Sequence, residues 1–382
     1  MNKTIAVLGA TGSVGRQALD VARSRGYRVD LLTADRDTAS MEALARELSP
    51  RLVAMADERA ADDLRVRLSD TDTRVLSGSK GIIDAIGTSS ADTVINSILG
   101  GAGLLPSLAV IDSGKRLALA NKESLVMAGE EVMSRAARRG VEIIPVDSEH
   151  SAIFQSLKSG RREEIKSILL TASGGPFYGR TREELRSVTV ADTLAHPTWK
   201  MGRKITVDSA TLMNKGFELI EAVHLFGVLP ERVRVVVHRE SILHSAVEYV
   251  DNTVIAELSS PDMRMCVQYA VDYPERMPSA SRPLDLIALG ALTFAAPDEE
   301  AFPLLALARE TVSRGGALAA VMNAADEVAV EAFLSERIGF SEIHEAVSHT
   351  VDRLSSACEH HSVEDVLAYD GEARRVCAEF IK

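Results

Sequence analysis

Residues 4–15 have the sequence Thr-Ile-Ala-Val-Leu-Gly-Ala-Thr-Gly-Ser-Val-Gly. The apolar run over residues 4–9 predicts a buried strand, and the pattern after it predicts a helix to about Arg25. Gly9, Gly12 and Gly15 lie where the two meet, in a spacing variant of the dinucleotide-binding fingerprint. Such glycines let the backbone approach a pyrophosphate, and the helix N-terminus offers amide donors. The stretch therefore predicts a dinucleotide-binding turn, with a purely structural tight turn as the alternative.

Strand-like and helix-like segments continue to alternate after this unit, which predicts a doubly wound parallel sheet. We expect a Rossmann-like α/β domain over residues 1–148. The alternating segments are Val29–Thr33, Met41–Leu48, Leu52–Met55, Asp57–Leu68, Val94–Ile98, Leu104–Ser113, Arg116–Leu119 and Val141–Ile144.

The rest of the chain has a different pattern. Residues 149–272 predict a central α+β catalytic domain, and residues 273–298, which contain four prolines, predict a linker. Residues 299–382 predict a C-terminal α-helical bundle. The central strands are expected at Ile168–Thr171 and, as antiparallel strands, at Val233–His238, Ser245–Val250 and Thr253–Leu258; helices are expected at Asn214–Phe226, Thr311–Leu334, Phe340–Leu354 and Val363–Phe380.

The composition limits the class of protein. The 382 residues carry a net charge of −12, which argues against a general nucleic-acid binder but not against an anionic small-molecule substrate. Cys266, Cys358 and Cys377 are odd in number and far apart, so they form neither a disulfide framework nor a zinc motif. With no signal-peptide pattern and no long apolar span, we expect a cytoplasmic protein without a membrane partner.

The end of the second predicted strand bears on which dinucleotide is bound. An acid at this position favours the free ribose hydroxyl of NAD, whereas an arginine favours the 2′-phosphate of NADP. Asp35 and Arg36 are adjacent here. The pattern by itself therefore leaves the cofactor open.

A pair of acids in residues 145–150, Pro-Val-Asp-Ser-Glu-His, suggests a metal site. In an extended chain Asp147 and Glu149 would point to the same side, and paired carboxylates suit Mg²⁺ or Mn²⁺. Glu218 and Glu221 share a face of the predicted helix Asn214–Phe226 and could complete the site. The alternative is that these glutamates are ordinary surface charges.

Two further segments have the residues that a phosphate site needs. Ser173-Gly174-Gly175 follows a predicted strand, Asp208-Ser209-Ala210 precedes a predicted helix, and Lys215 would add positive charge. Helix capping by Ser209 is the alternative. His196 to Gly202, with Trp199 between a proline and a glycine, has the composition of a loop that closes over a substrate.

These segments together resemble the 1-deoxy-D-xylulose 5-phosphate reductoisomerase family. The similarity extends over nearly the whole chain and involves ordered blocks, which makes it far more specific than any single motif. The blocks are residues 8–15, 119–124, 145–150, 171–177, 196–202, 207–218, 261–264 and 292–297.

The resemblance implies a role for each candidate residue. The implied ligands of one Mg²⁺ or Mn²⁺ per subunit are Asp147, Glu149 and Glu218, with Lys122 and Lys215 as further catalytic residues. The implied substrate-binding residues are Ser148, Ser173, His196, Trp199, Ser209, Asn214 and Lys215. The implied NADPH-binding residues are Thr11, Gly12, Ser13, Val14, Arg36, Asn121, Glu123 and Gly202.

The resemblance also implies an activity. Members of the family are NADPH-dependent homodimers that convert the phosphosugar 1-deoxy-D-xylulose 5-phosphate in the non-mevalonate isoprenoid pathway. Two other functions are weighed against this one: a dehydrogenase for a sugar or amino-acid semialdehyde, which needs no cation, and a non-catalytic nucleotide sensor. The sequence departs from the family pattern at Asp35, at Arg239-Glu240 in place of Pro-Gln, at Cys266 in place of proline and at Asp326 in place of asparagine.

Overall fold

A computed structural model of the chain describes residues 3–195, 199, 201–279, 281–355 and 362–382. The strands are β1 (Thr4–Leu8), β2 (Arg28–Ala34), β3 (Leu52–Met55), β4 (Arg74–Ser77), β5 (Thr93–Asn96), β6 (Arg116–Leu119), β7 (Ile143–Pro145), β8 (Ile165–Ala172), β9 (Val233–Val237), β10 (Leu243–Tyr249) and β11 (Val254–Leu258).

The α-helices up to the second sheet are α1 (Ser13–Arg25), α2 (Thr38–Leu48), α3 (Glu58–Arg67), α4 (Gly78–Thr88), α5 (Leu104–Asp112), α6 (Glu123–Arg139), α7 (Ser148–Ser156), α8 (Arg182–Leu185), α9 (Val190–Thr193), α10 (Arg203–Thr211) and α11 (Met213–Phe226). The later α-helices are α12 (Met263–Asp272), α13 (Leu286–Leu289), α14 (Leu304–Arg314), α15 (Leu318–Leu334), α16 (Phe340–Leu354) and α17 (Val363–Ile381). No helix within the described residues has both the length and the apolar character needed to cross a membrane.

The chain divides into two compact units, and the first contains a parallel sheet. Its seven strands have the order β4-β3-β2-β1-β5-β6-β7, and every neighbouring pair is parallel. The sheet grows outward in both directions from β1 and β5, whose residues are almost entirely buried, as expected where helices cover both faces. The predicted doubly wound sheet is confirmed, and ligands of such sheets bind where the strand order reverses.

Residues Asp262–Arg282, which include α12, also belong to the first unit. The Lys3 ammonium donates to the Val271 carbonyl at 2.8 Å and pairs with the Asp272 carboxylate at 3.2 Å. The Arg116 guanidinium donates to the Tyr273 carbonyl at 2.9 Å. The domain boundaries inferred from the sequence stay a prediction, because compactness alone does not define an independently folding domain.

The second unit combines a small sheet with most of the later helices. The sheet has the order β11-β10-β8-β9, and its three C-terminal strands were all predicted. The pairing of β9 was predicted wrongly: β9 is parallel to β8, because the helices α10 and α11 carry the chain back between these strands. β10 has the predicted antiparallel orientation to both of its neighbours, β8 and β11, and a turn with Asn252 at a φ of 66° joins it to β11.

Helices α14 to α17 form the C-terminal part of this unit and pack into its hydrophobic core. The single helix predicted over Thr311–Leu334 is wrong. Gly315 and Gly316 have positive φ angles of 75° and 66°, which glycine adopts readily and which do not continue a helix, and they separate α14 from α15.

Candidate functional site

The glycine loop between β1 and α1 in the first unit has the geometry of a cofactor cradle. The amide of Gly12 donates to the Gly9 carbonyl at 3.0 Å, and α1 begins at Ser13 without a side-chain cap. A Cβ atom at Gly15 would collide with the Gly9 carbonyl, and one at Gly9 would lie 2.6 Å from the Ser97 carbonyl oxygen. Only glycine fits at these two positions, and the first-turn amides of α1 are suited to a pyrophosphate. This arrangement fits a dinucleotide, and Thr11, Gly12, Ser13 and Val14 lie in it.

Asp35 and Arg36 follow β2 on the exposed surface of the same unit. The Arg36 guanidinium donates to the Asp35 carboxylate at 3.0 Å, and the two side chains are 74% and 65% exposed. An exposed ion pair of this kind contributes little to stability. Both side chains can therefore reorient toward a ribose or a 2′-phosphate at low cost.

Asn121 lies between β6 and α6, and its side chain hydrogen-bonds to the loop that follows β5 and to the start of α6. Its side-chain amide donates to the carbonyls of Ile98 and Gly100 at 2.8 and 3.0 Å and to the Glu123 carboxylate at 2.7 Å. Its oxygen accepts from the amide of Ser124 at 3.0 Å. Asn121 is 2% exposed, so its observed contacts make it a buried organiser of the loops at this edge of the sheet.

Asp147 and Glu149 lie just beyond β7, but the reasoning that paired them is wrong in detail. The prediction assumed an extended chain through residue 149, whereas α7 begins at Ser148, so Glu149 lies in the first turn of a helix. Carboxylates in a first helical turn interact favourably with the helix dipole. The Ser148 hydroxyl also donates to the Glu149 carboxylate.

The Lys122 ammonium, at the start of α6, forms an ion pair with the Asp147 carboxylate. The two side chains are 11% and 14% exposed. Burial by itself raises the pKa of Asp147, but Lys122 and His150 outweigh that effect and hold this pKa well below its usual range. Asp147 is therefore an anion at neutral pH, as an oxygen ligand of a hard cation must be.

The second unit presents Glu218 on α11 within a set of polar side chains. The Lys215 ammonium forms a buried ion pair with Glu218, and the Asn214 side-chain amide donates to the same carboxylate at 2.6 Å. Lys215 and Glu218 are 4% and 1% exposed. Burial of an ion pair costs desolvation free energy, and Glu218 is therefore not an ordinary surface glutamate.

Within the second unit, the loop that contains Ser173 packs on the backbone of Ser209. Gly174 and Gly175 have φ angles of 77° and 65°, and the amide of Gly175 donates to the Ser173 hydroxyl at 3.3 Å. A Cβ atom at Gly175 would lie 2.6 Å from the Ser209 carbonyl oxygen, so the backbone of the loop packs directly on α10. Ser209 lies inside α10, and the N-cap of α11 is Leu212, so the alternative that Ser209 caps the helix predicted over Asn214–Phe226 is wrong.

The predicted closing loop is only partly described. His196 lies outside the described residues, so its role as a substrate-binding residue stays a prediction. The Trp199 ring lies 6.2 Å from the His244 ring, centroid to centroid. Gly202 is the N-cap of α10, and its carbonyl accepts from the Thr206 hydroxyl at 2.8 Å.

Two other polar groups of the second unit have no role in the predictions made from the sequence. The Lys204 ammonium lies 2.8 Å from both the Asp208 and the Asp326 carboxylates. Arg239 donates to two carbonyls of the loop that contains Ser173. The sequence does contain a signal for each group, because Asp326, the partner of Lys204, and Arg239 itself depart from the family pattern. A departure from the pattern does not, however, predict which residue is contacted.

Three models of one protein family match most of the chain. Residues 5–129 match a family model described as 1-deoxy-D-xylulose 5-phosphate reductoisomerase. Residues 143–226 match the model of the C-terminal domain of the same enzyme, and residues 258–376 match a second model described as DXP reductoisomerase C-terminal domain.

Relatives and solved structures give the same result. The 1-deoxy-D-xylulose 5-phosphate reductoisomerase of Acetivibrio thermocellus is 49% identical over 100% of both chains, and that of Geobacillus kaustophilus is 48% identical over 97% of this chain and 98% of its own. The structure of the Zymomonas mobilis enzyme in complex with NADPH is 41% identical, with a TM-score of 0.93 over 100% of both chains.

A structure of DOX-P reductoisomerase in complex with NADPH, fosmidomycin and magnesium is also similar. It is 39% identical, with a TM-score of 0.95 over 99% of this chain and 98% of its own. Family models, full-length relatives and full-length structures thus agree. The chain belongs to the 1-deoxy-D-xylulose 5-phosphate reductoisomerase family.

Proposed function

We propose that the chain is an oxidoreductase that converts 1-deoxy-D-xylulose 5-phosphate to 2-C-methyl-D-erythritol 4-phosphate, using NADPH and a divalent cation. The observation that carries the proposal is the set of acids and lysines in the two units. Lys122 holds Asp147 as an anion beside the dinucleotide-binding sheet, and Lys215 accompanies a buried Glu218 on α11. Relatives with full-length similarity carry the name of this enzyme, and a similar structure contains NADPH, fosmidomycin and magnesium.

Asp147, Glu149 and Glu218 hold one Mg²⁺ or Mn²⁺ in this proposal. The anionic state of Asp147 and the oxygen donors of all three side chains fit a hard cation. When bound, the cation supplies Lewis-acid polarisation of the substrate's carbonyl and neighbouring hydroxyl. Lys122 and Lys215 balance the charge of the acids and, in this proposal, stabilise negative charge on the reacting oxygens, while Ser148 orients that end of the substrate.

The phosphate of the substrate binds at the loop Ser173–Gly175 with Ser209, Asn214 and Lys215. The packing of Gly175 on α10 and the nearby Lys215 charge support this assignment. Trp199 closes over the substrate, and His196 is assigned to substrate binding by the family resemblance alone. A phosphate held away from the reacting carbons contributes binding energy that can drive such a closure and exclude water.

NADPH binds at the glycine loop through Thr11, Gly12, Ser13 and Val14, with Arg36 at the 2′-phosphate and Asn121, Glu123 and Gly202 as further contacts. The exposed side chain of Arg36 supports the NADPH assignment, because it can turn from Asp35 to a phosphate. Bound NADPH supplies a hydride for the aldehyde that forms when the carbon skeleton rearranges.

We further propose that the chain acts as a cytoplasmic homodimer in the non-mevalonate isoprenoid pathway, with small molecules rather than nucleic acid or membrane as its partners. A cytoplasmic location is supported by the absence of any disulfide-type cysteine pattern in the sequence. The homodimer rests on the family resemblance alone.

The test is an assay of NADPH oxidation with 1-deoxy-D-xylulose 5-phosphate, with Mg²⁺, with Mn²⁺, with a chelator and with NADH in place of NADPH. We expect oxidation that requires both metal and phosphosugar and that is at least about tenfold slower with NADH at equal concentrations. Oxidation that persists in chelator would favour the semialdehyde dehydrogenase. NADPH binding without any consumption would favour a nucleotide sensor.

A further inference from the structure

We propose that Arg239 is a positioning residue for the loop Ser173–Gly175 and thereby sets the affinity of this enzyme for its phosphorylated substrate. The inference rests on the proposed function, since it assumes that this loop binds the substrate's phosphate. It goes further by assigning a role to a residue that departs from the family pattern, in which position 239 is a proline.

Arg239 contacts the loop through two hydrogen bonds. It lies two residues after β9, and its Nη1 atom donates to the Ser173 carbonyl at 3.0 Å and to the Gly175 carbonyl at 2.7 Å. Its guanidinium carbon lies 5.0 Å from the centre of the Tyr178 ring, in a cation–π arrangement. Hydrogen bonds from a charged donor are stronger than those between neutral groups. Arg239 therefore clamps both ends of the loop.

The loop is a segment that needs such a clamp. Gly174 and Gly175 are consecutive residues in the left-handed region, with φ angles of 77° and 65°. Glycine loses more conformational freedom on folding than any other residue, so a Gly-Gly segment is costly to order. Proline at position 239 has no side-chain donor and could not supply these two bonds. The loop is thus held here by contacts that the family pattern does not provide.

The two bonds also fix the direction of the peptide groups. Because a trans peptide is planar, its N–H points opposite to its C=O. Directing the Ser173 carbonyl to Arg239 therefore turns the amide of Gly174 to the opposite side of the loop. An amide donor beside the Ser173 hydroxyl is what an anion-binding turn requires.

The clamp reaches Ser209 as well, because the loop packs on α10. A Cβ atom at Gly175 would lie 2.6 Å from the Ser209 carbonyl oxygen and 3.1 Å from the Cα of Ala210. With so little space between the two backbones, holding Gly175 also holds the loop at a fixed distance from Ser209. Arg239 thus keeps both serines of the phosphate site in position through contacts made on the far side of the loop.

The carboxylate of the neighbouring Glu240 contacts Thr293 and His238 rather than Arg239. Its carboxylate accepts from the Thr293 hydroxyl at 2.7 Å and lies 3.0 Å from the Nδ1 atom of His238. In the part of the chain that the structure describes, the bonds formed by Arg239 go to carbonyls rather than to a carboxylate. Because these carbonyls are neutral, they leave the positive charge of Arg239 in place, and this charge also favours a phosphate dianion at the loop.

The experiment compares Arg239→Ala, Arg239→Lys and Arg239→Gln with the parent enzyme in the full-length chain. The steady-state assay gives kcat and the KM values for phosphosugar and NADPH, and calorimetry gives the Kd of fosmidomycin. We expect Arg239→Ala to raise the phosphosugar KM and the fosmidomycin Kd by about tenfold, as for loss of charge-assisted hydrogen bonds. We expect kcat to stay within about twofold and the NADPH KM to be unchanged, and we expect Arg239→Lys to recover part of the affinity.

Arg234→Ala is the matched control, since Arg234 lies on β9, is 64% exposed and pairs with Glu248 rather than with the loop. Its KM values should equal those of the parent. Parent activity with an unchanged phosphosugar KM and fosmidomycin Kd in Arg239→Ala would overturn the inference and leave the proposed function standing. If Arg239→Ala does not fold, Arg239→Gln decides between the same two outcomes. No turnover by the parent would overturn the proposed function and the inference together.

Discussion

At the scale of single residues, the largely buried Asp147 and the fully buried Glu218 have the same kind of partner, a lysine on a neighbouring turn or loop. A buried ion pair is weak support for stability, because desolvation of both charges opposes the attraction between them. Two such pairs at positions that the sequence had singled out for metal binding point to selection for function. These acids could be proposed from the sequence because carboxylates after a strand and at helical spacing leave a local pattern, and their role as metal ligands stays a prediction. Lys122 came only with the family resemblance, and Lys215 had been singled out as a positive charge for a phosphate rather than as a partner of Glu218.

Glu218→Gln tests the role of this acid. The substitution keeps the size of the side chain and an oxygen that can accept from Asn214, but it removes the charge. We expect kcat to fall by at least about 100-fold and the Mg²⁺ affinity to fall, because a neutral amide is a poor ligand for a hard cation. NADPH binding should be unchanged. Steady-state kinetics and calorimetric titration with Mg²⁺ measure both effects.

Glu142→Gln is the control for that substitution, because Glu142 is 54% exposed and pairs with Arg116 on the surface. It should behave as the parent does. Wild-type turnover and Mg²⁺ affinity in Glu218→Gln would remove Glu218 from the metal site and leave the rest of the proposed function to be tested separately.

Asp30 is a buried acid with a structural role. It is fully buried on β2 and accepts hydrogen bonds from Arg51 at 3.2 Å, from the Ser89 hydroxyl at 2.8 Å and from the amide of Ser90 at 2.8 Å. Burial alone raises the pKa of Asp30, but these donors outweigh it and lower the pKa to about 2. A folded-state pKa below the unfolded value stabilises the fold above about pH 4, and this contribution is lost as the pH falls toward 2.

We therefore expect Asp30→Asn to lower the free energy of unfolding by about 2 kcal/mol at pH 7, the order of magnitude of the pKa shift. The gap between variant and parent should close as the pH falls from about 4 to about 2. Urea unfolding at a series of pH values measures the gap, with Asp62→Asn, an exposed acid on α3, as the control. A gap that is constant over this range would show that Asp30 acts through packing rather than through its charge.

At the scale of elements, the first strand, turn and helix were predictable because each residue type there is restricted by a local contact. Gly9 and Gly15 approach other backbone segments too closely for any side chain. The start of α7 at Ser148 could not be predicted in the same way, since Asp147-Ser148-Glu149 suits an extended chain and a first helical turn equally well. The parallel pairing of β9 with β8 also could not be predicted from the sequence, because it depends on where the helices between these strands return the chain.

Gly15→Ala tests whether the contact of α1 with the loop is needed for the cofactor. A Cβ atom there collides with the Gly9 carbonyl, so either the loop or the start of α1 must move. We expect the NADPH KM to rise by at least about tenfold, with little change in the phosphosugar KM, because the cradle for the pyrophosphate is distorted. Steady-state kinetics at varied NADPH concentration measures this change.

Gly87→Ala is the control for this substitution, because Gly87 lies inside α4 with no atom within 4 Å of an added Cβ. It should leave both KM values unchanged and stabilise the chain by up to about 1 kcal/mol. An unchanged NADPH KM in Gly15→Ala would mean that the loop does not hold the cofactor.

At the scale of the whole molecule, the order of segments along the chain does not match their membership of the two units. Residues Asp262–Arg282 contact the first unit, while the segments on either side of them belong to the second. The contact between Lys3 and Val271 joins residues 268 positions apart. Sequence patterns report on neighbours along the chain, so α12 was assigned to the central domain by its position. A contact between residues so far apart in the sequence does not alter the local hydrophobic periodicity from which helices and strands are predicted.

Asp272→Ala tests which unit α12 stabilises. Asp272 is 4% exposed and pairs with Lys3 at 3.2 Å and Arg25 at 3.8 Å, so its loss leaves both cations without this partner. We expect the free energy of unfolding to fall by about 1–3 kcal/mol, whereas Glu275→Ala, at an exposed site close by, should have almost no effect. Amide hydrogen exchange should accelerate in β1 and α1 and stay unchanged in β8 to β11, because the loosened helix packs on the first unit. Faster exchange confined to β8 to β11 would instead mean that α12 stabilises the second unit. Since we expect NADPH to bind the first unit, added NADPH would then not slow the exchange of β8 to β11.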